Sequence, residues 1–264
     1  MLYEKVNYTQ DIALLKNTNI YEYDIAKANI SVLLNRGQID SSLYDFLFNQ
    51  DNMVRKIMVG NMEKLNKQLI KEKQQGIIDA KRYLFEANHI QDNEVLSIKN
   101  DAVFVTRELD PNKLQYQNAR FTLRNRYNLF IRILRLQLFY LLDQRNNLEV
   151  LHIKGIKDEV LEQQKDYMID FLKELLFTFL TEGAGKALLL LRTFNRNYMN
   201  RELDINYYRD LYTGKFPLIT DSSIFSYSAN ALNNDLAPLV NIVNNGSFLR
   251  SLSKVFYTEY LRRK

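Results

Sequence analysis

Two stretches of this chain decide its fold: residues 20–33 read IYEYDIAKANISVL, and residues 95–105 read VLSIKNDAVFV. In each stretch, a run of β-branched, aromatic and aliphatic residues favours a strand. Each run delivers one aspartate to a strand end or a tight turn, Asp24 in the first stretch and Asp101 in the second. If the two strands lie side by side, these carboxylates form a pair able to hold a divalent metal ion.

The composition limits the chemistry that such a site can use. The chain has 264 residues, no cysteine and only two histidines, so disulfides, thiolate zinc sites, cysteine nucleophiles and histidine-rich metal sites are excluded. Any bound metal must rest on oxygen ligands, which favours Mg²⁺ or Mn²⁺. A net charge of +5 gives a modest preference for nucleic acid or another anionic partner.

No membrane or export segment is evident. Residues 1–5 lack the basic start and apolar run of a signal peptide. The most apolar region, residues 167–180, is interrupted by Asp170, Lys173 and Glu174, and it is too short to span a bilayer. We therefore expect a soluble cytoplasmic protein with no membrane partner. Richness in Asn, Lys, Ile, Tyr and Phe suggests an AT-rich genome, as in many low-GC bacteria and their phages.

Helical spacing dominates between the two strand stretches. Residues 26–35 predict a helix after the first strand, and Asp40 caps the next one. Residues 52–73 predict a long helix with one basic face, broken at Gly76 before a further helix over 77–88. The second stretch then predicts a hairpin whose turn is residues 99–102.

An arginine-rich strand follows the hairpin. From residue 120 to 133 the odd positions are largely apolar, whereas arginines recur at even positions. This period of two predicts a strand with one buried face and one basic face. The basic face implies an anionic partner, because the arginine fork suits phosphate. Its members are Arg120, Arg124, Arg126 and Arg132.

The pattern becomes helical after Gly155. Strands predicted over 136–142 and 148–153 precede it, and helices predicted over 158–180, 186–199, 205–213 and 247–264 follow. The sequence thus predicts an α+β fold: a palm-like mixed sheet with helices, then a mostly helical part. We expect an α+β domain over 1–155 with a basic helical insertion over about 52–90, and a helical domain over 156–264.

The order of these elements resembles the palm domain of template-directed DNA polymerases of families A and B. Residues 24–33 resemble motif A, in which an aspartate begins a short turn into a helix, and residues 99–105 resemble motif C. The resemblance implies that Asp24 and Asp101 are catalytic and bind Mg or Mn. It also implies that a basic helix contacts the incoming nucleotide phosphates, through Arg55, Lys56 and Lys64.

The resemblance is incomplete and covers about 35 residues of the chain. Family B has an acid where this chain has Lys99, family A has one where it has Ala102, and Asn29 replaces the sugar-discriminating residue. The whole chain also resembles a group of uncharacterised phage-encoded proteins.

Three functions follow as expectations. The first is polymerase- or primase-like nucleotidyl transfer on DNA or RNA, with the arginine face on the nucleic-acid backbone and the helical C-terminal part available to a protein partner. The second is a non-catalytic nucleic-acid-binding or host-interaction protein on a degenerate palm scaffold. The third is a metal-dependent nuclease. Each aspartate also has a purely structural interpretation, Asp24 as a helix cap and Asp101 as a turn residue.

Overall fold

The structure is a computed structural model that describes residues 1–200, 202–214 and 237–262. Within these residues the chain forms strands and helices in the mixture expected of the α+β class, which confirms the predicted fold class. The strands are β1 (Asn7–Thr9), β2 (Leu14–Ile25), β3 (Val95–Lys99), β4 (Ala102–Val105), β5 (Gln115–Tyr116), β6 (Ala119–Ile133), β7 (Leu136–Asp143) and β8 (Leu148–Lys154). The helices are α1 (Ala28–Asn35), α2 (Ser41–Phe48), α3 (Asn52–Leu65), α4 (Gln68–Ala87), α5 (Asp158–Gln163), α6 (Asp170–Thr181), α7 (Ala184–Met199) and α8 (Ala237–Leu261).

Packing divides the chain into two compact units. Unit 1 comprises Met1–Ile12 and Asn17–Asn128, and unit 2 comprises Ala13–Lys16 with the described residues from Leu129 onward. Strands β2 and β6 therefore contribute residues to both units. This division groups β7 and β8 with the C-terminal helices, whereas the predicted domains part near residue 155; the domain boundary stays a prediction.

Unit 1 is an antiparallel sheet covered by helices. Its strand order is β1-β3-β4-β2-β6, and β5 pairs with β6. Tyr21 and Tyr23 of β2 share one buried cluster with Val103 of β4 and Leu84 of α4. Because successive strand residues alternate between faces, Glu22 and Asp24 lie on the opposite face from the two tyrosines. A second apolar cluster includes residues of α1, α2, α3 and α4.

Unit 2 has a core of its own. Strands β6, β7 and β8 pair antiparallel, for example Leu129 with Tyr140 and Leu138 with Ile153. Their apolar residues share one buried cluster with α6, α7 and the C-terminal half of α8. A turn at residues 134–135 joins β6 to β7, and Leu134 there adopts a positive φ of 54°. The predicted strands over 136–142 and 148–153 are confirmed within a residue or two.

The hairpin that carries Asp101 is also confirmed. Strands β3 and β4 pair antiparallel, with Lys99 opposite Ala102, so Asn100 and Asp101 form the turn. Asn100 has a φ of 56°, in the left-handed region that asparagine tolerates better than most residues. The backbone N–H of Asn100 donates to the Val6 carbonyl at 2.7 Å, which ties the turn to the N-terminal segment.

The predicted helix break at Gly76 is wrong. The break lies at Asn66 and Lys67, and Gly76 is a buried residue inside α4. A Cβ at Gly76 would lie 2.8 Å from Cβ of Val32 and 3.2 Å from the Val32 carbonyl oxygen. The glycine therefore serves close packing of α4 against α1, which a single-helix pattern does not reveal.

This contact gives a test of the packing. Gly76→Ala is expected to lower the free energy of unfolding by about 1–3 kcal/mol, because the added methyl overpacks the α1–α4 contact. The matched control is Gly60→Ala in α3, where an added Cβ meets nothing within 4 Å. That change is expected to raise the free energy of unfolding by about 0.5–1 kcal/mol, since alanine favours helix. Urea unfolding of the two variants measures both; equal effects would contradict the packing.

Two predicted C-terminal helices are revised. The segment predicted as a helix over 205–213 contains only a 3₁₀ turn, Ile205–Tyr208. The last helix, predicted over 247–264, begins earlier and is α8; residues 263 and 264 lie outside the described residues. Asp210 explains the early end of the 3₁₀ turn. Its side chain accepts from the N–H groups of Tyr212 and Thr213 at 2.9 and 2.6 Å, which competes with continued helix.

Candidate functional site

The two aspartates singled out in the sequence lie on strand β2 and in the turn that precedes its neighbour, strand β4. Strands β2 and β4 pair antiparallel, and Asp24 lies opposite Ala102, the residue that follows Asp101. The condition placed on the carboxylate pair, that the two strands lie side by side, is therefore met. Asp24 is the second-last residue of β2, and Asp101 lies in the β3–β4 turn.

Both aspartates line a single cleft of about 590 Å³ in unit 1. Its other walls are the turn between β2 and α1, the start of α3, and the outer face of β6. Four cationic side chains join the two carboxylates there: Lys27, Arg55, Lys56 and Arg124. The excess of positive charge makes the cleft suited to an anionic ligand, and the carboxylates make it suited to a cation beside that ligand.

Local structure fixes the cationic residues of α3. Asp51 caps the helix by accepting from the N–H groups of Met53 and Val54 at 2.8 and 2.9 Å. Helix α3 therefore begins at Asn52, and Arg55 and Lys56 fall in its first turns. The Arg55 guanidinium donates to the Gln50 carbonyl and to the Asn52 side chain, both at 3.0 Å.

Lys27 is held in a strained turn. Its φ of 49° is left-handed, which is uncommon for a residue other than glycine. Its Nζ donates to the Phe48 carbonyl at 2.6 Å and lies 3.1 Å from the centre of the Phe48 ring. Loss of hydration lowers the pKa of Lys27, and the charge of Arg55 lowers it further. These contacts fasten the turn after Asp24 to the end of α2.

Asp24 forms an ion pair through one of its two carboxylate oxygens. Arg124 Nη1 donates to Asp24 Oδ2 at 2.6 Å, and this hydrogen bond is the main cause that raises the pKa of Arg124. The other oxygen, Oδ1, is buried and accepts no hydrogen bond within the part of the chain that the structure describes. A buried carboxylate oxygen is costly to leave without a partner. The arrangement therefore fits a metal ion or a donor group of a ligand at Oδ1.

The described part of the chain offers few clustered acids for a metal. Among residues 1–200, 202–214 and 237–262, no group of three or more His, Cys, Asp or Glu side chains could hold one. A metal ion bound in the cleft would have Asp24 and Asp101 as carboxylate ligands, with water or substrate oxygens to complete the shell. Mg²⁺ commonly binds in this way, through one or two carboxylates and substrate phosphates.

Glu22 is part of this region and was not singled out in the sequence. It is buried, and its Oε2 accepts from the hydroxyl of Tyr127 at 2.6 Å and from the Asn125 amide at 2.8 Å. Burial, followed by the Glu22 charge, raises the pKa of Tyr127. A charged residue between Tyr21 and Tyr23, two positions from Asp24, was the available signal.

Lys81 is the second residue that was missed. It is fully buried on α4, and its Nζ donates to the Lys5 carbonyl at 2.6 Å. Burial lowers the pKa of Lys81 to about 8, while the Asp101 carboxylate opposes part of that fall. Lys81 and Asp101 line a second cavity of about 290 Å³. A lysine at an apolar position of a helix was the signal in the sequence.

The buried lysine predicts a pH dependence of stability. Its folded-state pKa lies below the ordinary 10.5, so the unfolded chain binds more protons between about pH 8 and 10.5. The burial penalty is full below pH 8 and disappears above pH 10.5, and Lys81 makes stability rise with pH in that window. The rise is expected to reach about 3 kcal/mol at most. It is measured as the difference between wild type and Lys81→Met in urea unfolding at pH 7 and pH 10; a constant difference would contradict the assignment.

A comparison with known protein families finds a match. The sequence model of a family described as "Bacteriophage PBS1 gene 130 protein" matches residues 1–257. The chain belongs to this family. No curated protein matches the chain. Membership in the PBS1 gene 130 family confirms the resemblance to phage proteins, whereas the palm resemblance stays a prediction.

The remaining predicted site residues of this PBS1 gene 130 family member lie outside the cleft. Lys64 is in the last turn of α3 and does not line it. Arg120 is exposed on β6, and Arg126 forms an ion pair with Glu108 at 2.7 Å. Arg132 belongs to unit 2 and is half-buried. The outer face of β6 is basic from Arg120 to Arg126, as predicted, but acids from other elements pair with two of its arginines.

The same family member shows no membrane-crossing helix in the part of its chain that the structure describes: each helix there is too short or too polar.

Proposed function

We propose that this phage protein acts on nucleic acid by metal-dependent nucleotidyl transfer at the Asp24–Asp101 cleft. The observation that carries the proposal is that two carboxylates, Asp24 of β2 and Asp101 of the β3–β4 turn, line one cleft together with four cationic side chains. Phosphoryl transfer depends on positioning and on stabilising negative charge, and this set of side chains supplies both.

The residues divide by charge. Asp24 and Asp101 hold Mg²⁺ or Mn²⁺, which when bound activates the attacking hydroxyl and stabilises the leaving pyrophosphate. Arg55 and Lys56 bind the nucleotide phosphates from the start of α3. Arg124 orients Asp24 through their 2.6 Å ion pair. Arg120, on the exposed face of β6, contacts the nucleic-acid backbone.

A labelled primer–template tests the proposal directly. Purified protein is incubated with the duplex, all four dNTPs or NTPs, and Mg²⁺ or Mn²⁺. Extension of the primer that requires the metal is the expected result. Shortening of the primer in the absence of nucleotides would indicate metal-dependent hydrolysis instead of nucleotidyl transfer. A duplex that is bound by the protein but neither extended nor shortened would leave binding as the activity.

A second candidate is non-catalytic nucleic-acid binding. The ion pair between Arg124 and Asp24 favours it, because the guanidinium occupies one oxygen that a metal would use. Lys99 and Ala102 occupy the positions at which polymerases of families B and A, respectively, carry an acid. Their presence favours non-catalytic binding further. This function requires the cationic residues of the cleft and no metal.

The second function predicts salt-dependent binding of nucleic acid through α3. The Arg55→Gln/Lys56→Gln double variant is expected to reduce the slope of log K against log salt by up to about 2, since each phosphate contact contributes about 0.9. The control is Lys71→Gln, an exposed lysine of α4 that does not line the cleft. Fluorescence anisotropy with a labelled oligonucleotide between 50 and 200 mM salt, roughly the range over which such contacts are screened, measures the slopes. Equal slopes for the two variants would remove α3 from the binding surface.

A further inference from the structure

A second cavity, with a different set of lining side chains, lies next to the cleft. The second cavity, of about 290 Å³, shares Asn29 and Asp101 with the cleft. It lies against α4, the β3–β4 turn and the N-terminal segment, all within unit 1. A ligand that passes Asn29 and Asp101 would therefore reach from the charged cleft into this cavity. Its volume is close to the lower end of the roughly 300–1,000 Å³ of small-molecule sites.

The walls of this cavity are half apolar. Val6, Ile77 and Ile78 supply aliphatic surface, whereas amides supply polar groups. Lys73 forms an ion pair with Glu63, and the Lys81 amine donates to the Lys5 carbonyl, so both amines are already engaged. The cavity therefore suits a flat, weakly polar group better than it suits a phosphate.

Three amides of the cavity have hydrogen-bonding capacity to spare. The side chains of Asn29, Gln74 and Asn100 make no hydrogen bond with the residues that the structure describes. An amide presents two donor hydrogens and one acceptor oxygen, the pattern that pairs with the edge of a nucleobase. Aliphatic side chains that flank such amides would contact the faces of the base.

We propose that this cavity holds the base of a nucleoside triphosphate whose phosphates lie in the Asp24–Asp101 cleft. The protein then selects the base with its own amides, so that nucleotide preference exists without a template strand. The inference rests on the proposed function, because it assigns the phosphates to the proposed metal site. It goes beyond that function by naming the substrate and by removing the template from base selection.

Nucleotide binding without nucleic acid tests the inference. The full chain is titrated with ATP, GTP, CTP and UTP in Mg²⁺, and with inorganic triphosphate, by isothermal calorimetry. We expect one nucleotide to bind at least fivefold more tightly than the weakest, which is within reach of one amide–base pair. The Gln74→Ala variant is expected to lose this preference while binding inorganic triphosphate unchanged, because Gln74 lines the second cavity and not the cleft. The control is Asn61→Ala, an exposed asparagine of α3 outside both cavities.

The outcomes separate this inference from the proposed function. Nucleotide preference without primer extension would support the base site and contradict the proposed nucleotidyl transfer. Primer extension together with equal binding of all four nucleotides would overturn the base site and leave transfer in place. A preference that survives in the Gln74→Ala variant would also overturn the base site. Absence of binding by any nucleotide and by inorganic triphosphate would overturn both.

Discussion

Asp101→Asn and Asp24→Asn are each expected to reduce metal-dependent primer extension by about 10³-fold or more. Each substitution removes one of the two carboxylates in the cleft, and a bound metal supplies several kcal/mol of transition-state stabilisation. Each 1.4 kcal/mol or so corresponds to a factor of ten in rate. The loss should be accompanied by weaker Mn²⁺ binding, measured by electron paramagnetic resonance of free Mn²⁺.

The matched control is Asp45→Asn, an exposed aspartate of α2 that does not line the cleft. It is expected to extend the primer at the wild-type rate. Circular dichroism checks that each cleft variant keeps its fold, since Asp24→Asn also weakens the ion pair with Arg124. Wild-type extension by both cleft variants would end the assignment of the carboxylates as catalytic.

Glu22→Leu is expected to lower the free energy of unfolding by about 2–5 kcal/mol. The substitution leaves the Tyr127 hydroxyl and the Asn125 amide without their carboxylate acceptor, and a buried donor without a partner costs about 1–3 kcal/mol. The added apolar surface regains only part of this loss. Urea unfolding followed by circular dichroism gives the change.

Two further variants define the cause of this effect. Glu22→Gln keeps an acceptor oxygen and should lose less than half as much as Glu22→Leu. Glu86→Leu places the same side chain at an exposed position of α4 and should stay within about 0.5 kcal/mol of wild type. If Glu22→Leu were as stable as wild type, the hydrogen bonds of Glu22 would contribute nothing to holding β6 against β2.

Local patterns in the sequence were sufficient for most of the elements near the site. The alternation of residues 120–127, the turn at Asn100 and Asp101, and the Asp40 cap of α2 all appear in the structure. Such features depend on contacts between residues that are close along the chain. The prediction failed at Gly76, because its role is set by Val32, a residue of another helix.

Only part of the candidate site was predicted, because its residues too were selected from local patterns. Asp24, Asp101, Arg55, Lys56 and Arg124 were selected from the sequence, and all five line the cleft. Lys64 was selected with them because it shares the basic character of α3, yet it lies near the other end of that helix. Glu22 and Lys81 were missed, since burial of a charged side chain depends on which elements pack over it.

The sequence by itself determined the absence of thiolate ligands, the α+β class and the two strand segments that lead to Asp24 and Asp101. These follow from composition and from periodicities of two and 3.6 residues, which are local properties of the chain. Only the tertiary structure decided that β2 pairs with β4, that α3 and β6 place cations beside the aspartates, and that Arg124 is paired with Asp24. These contacts join residues up to 100 positions apart, and a local pattern carries no information about which distant residues will meet.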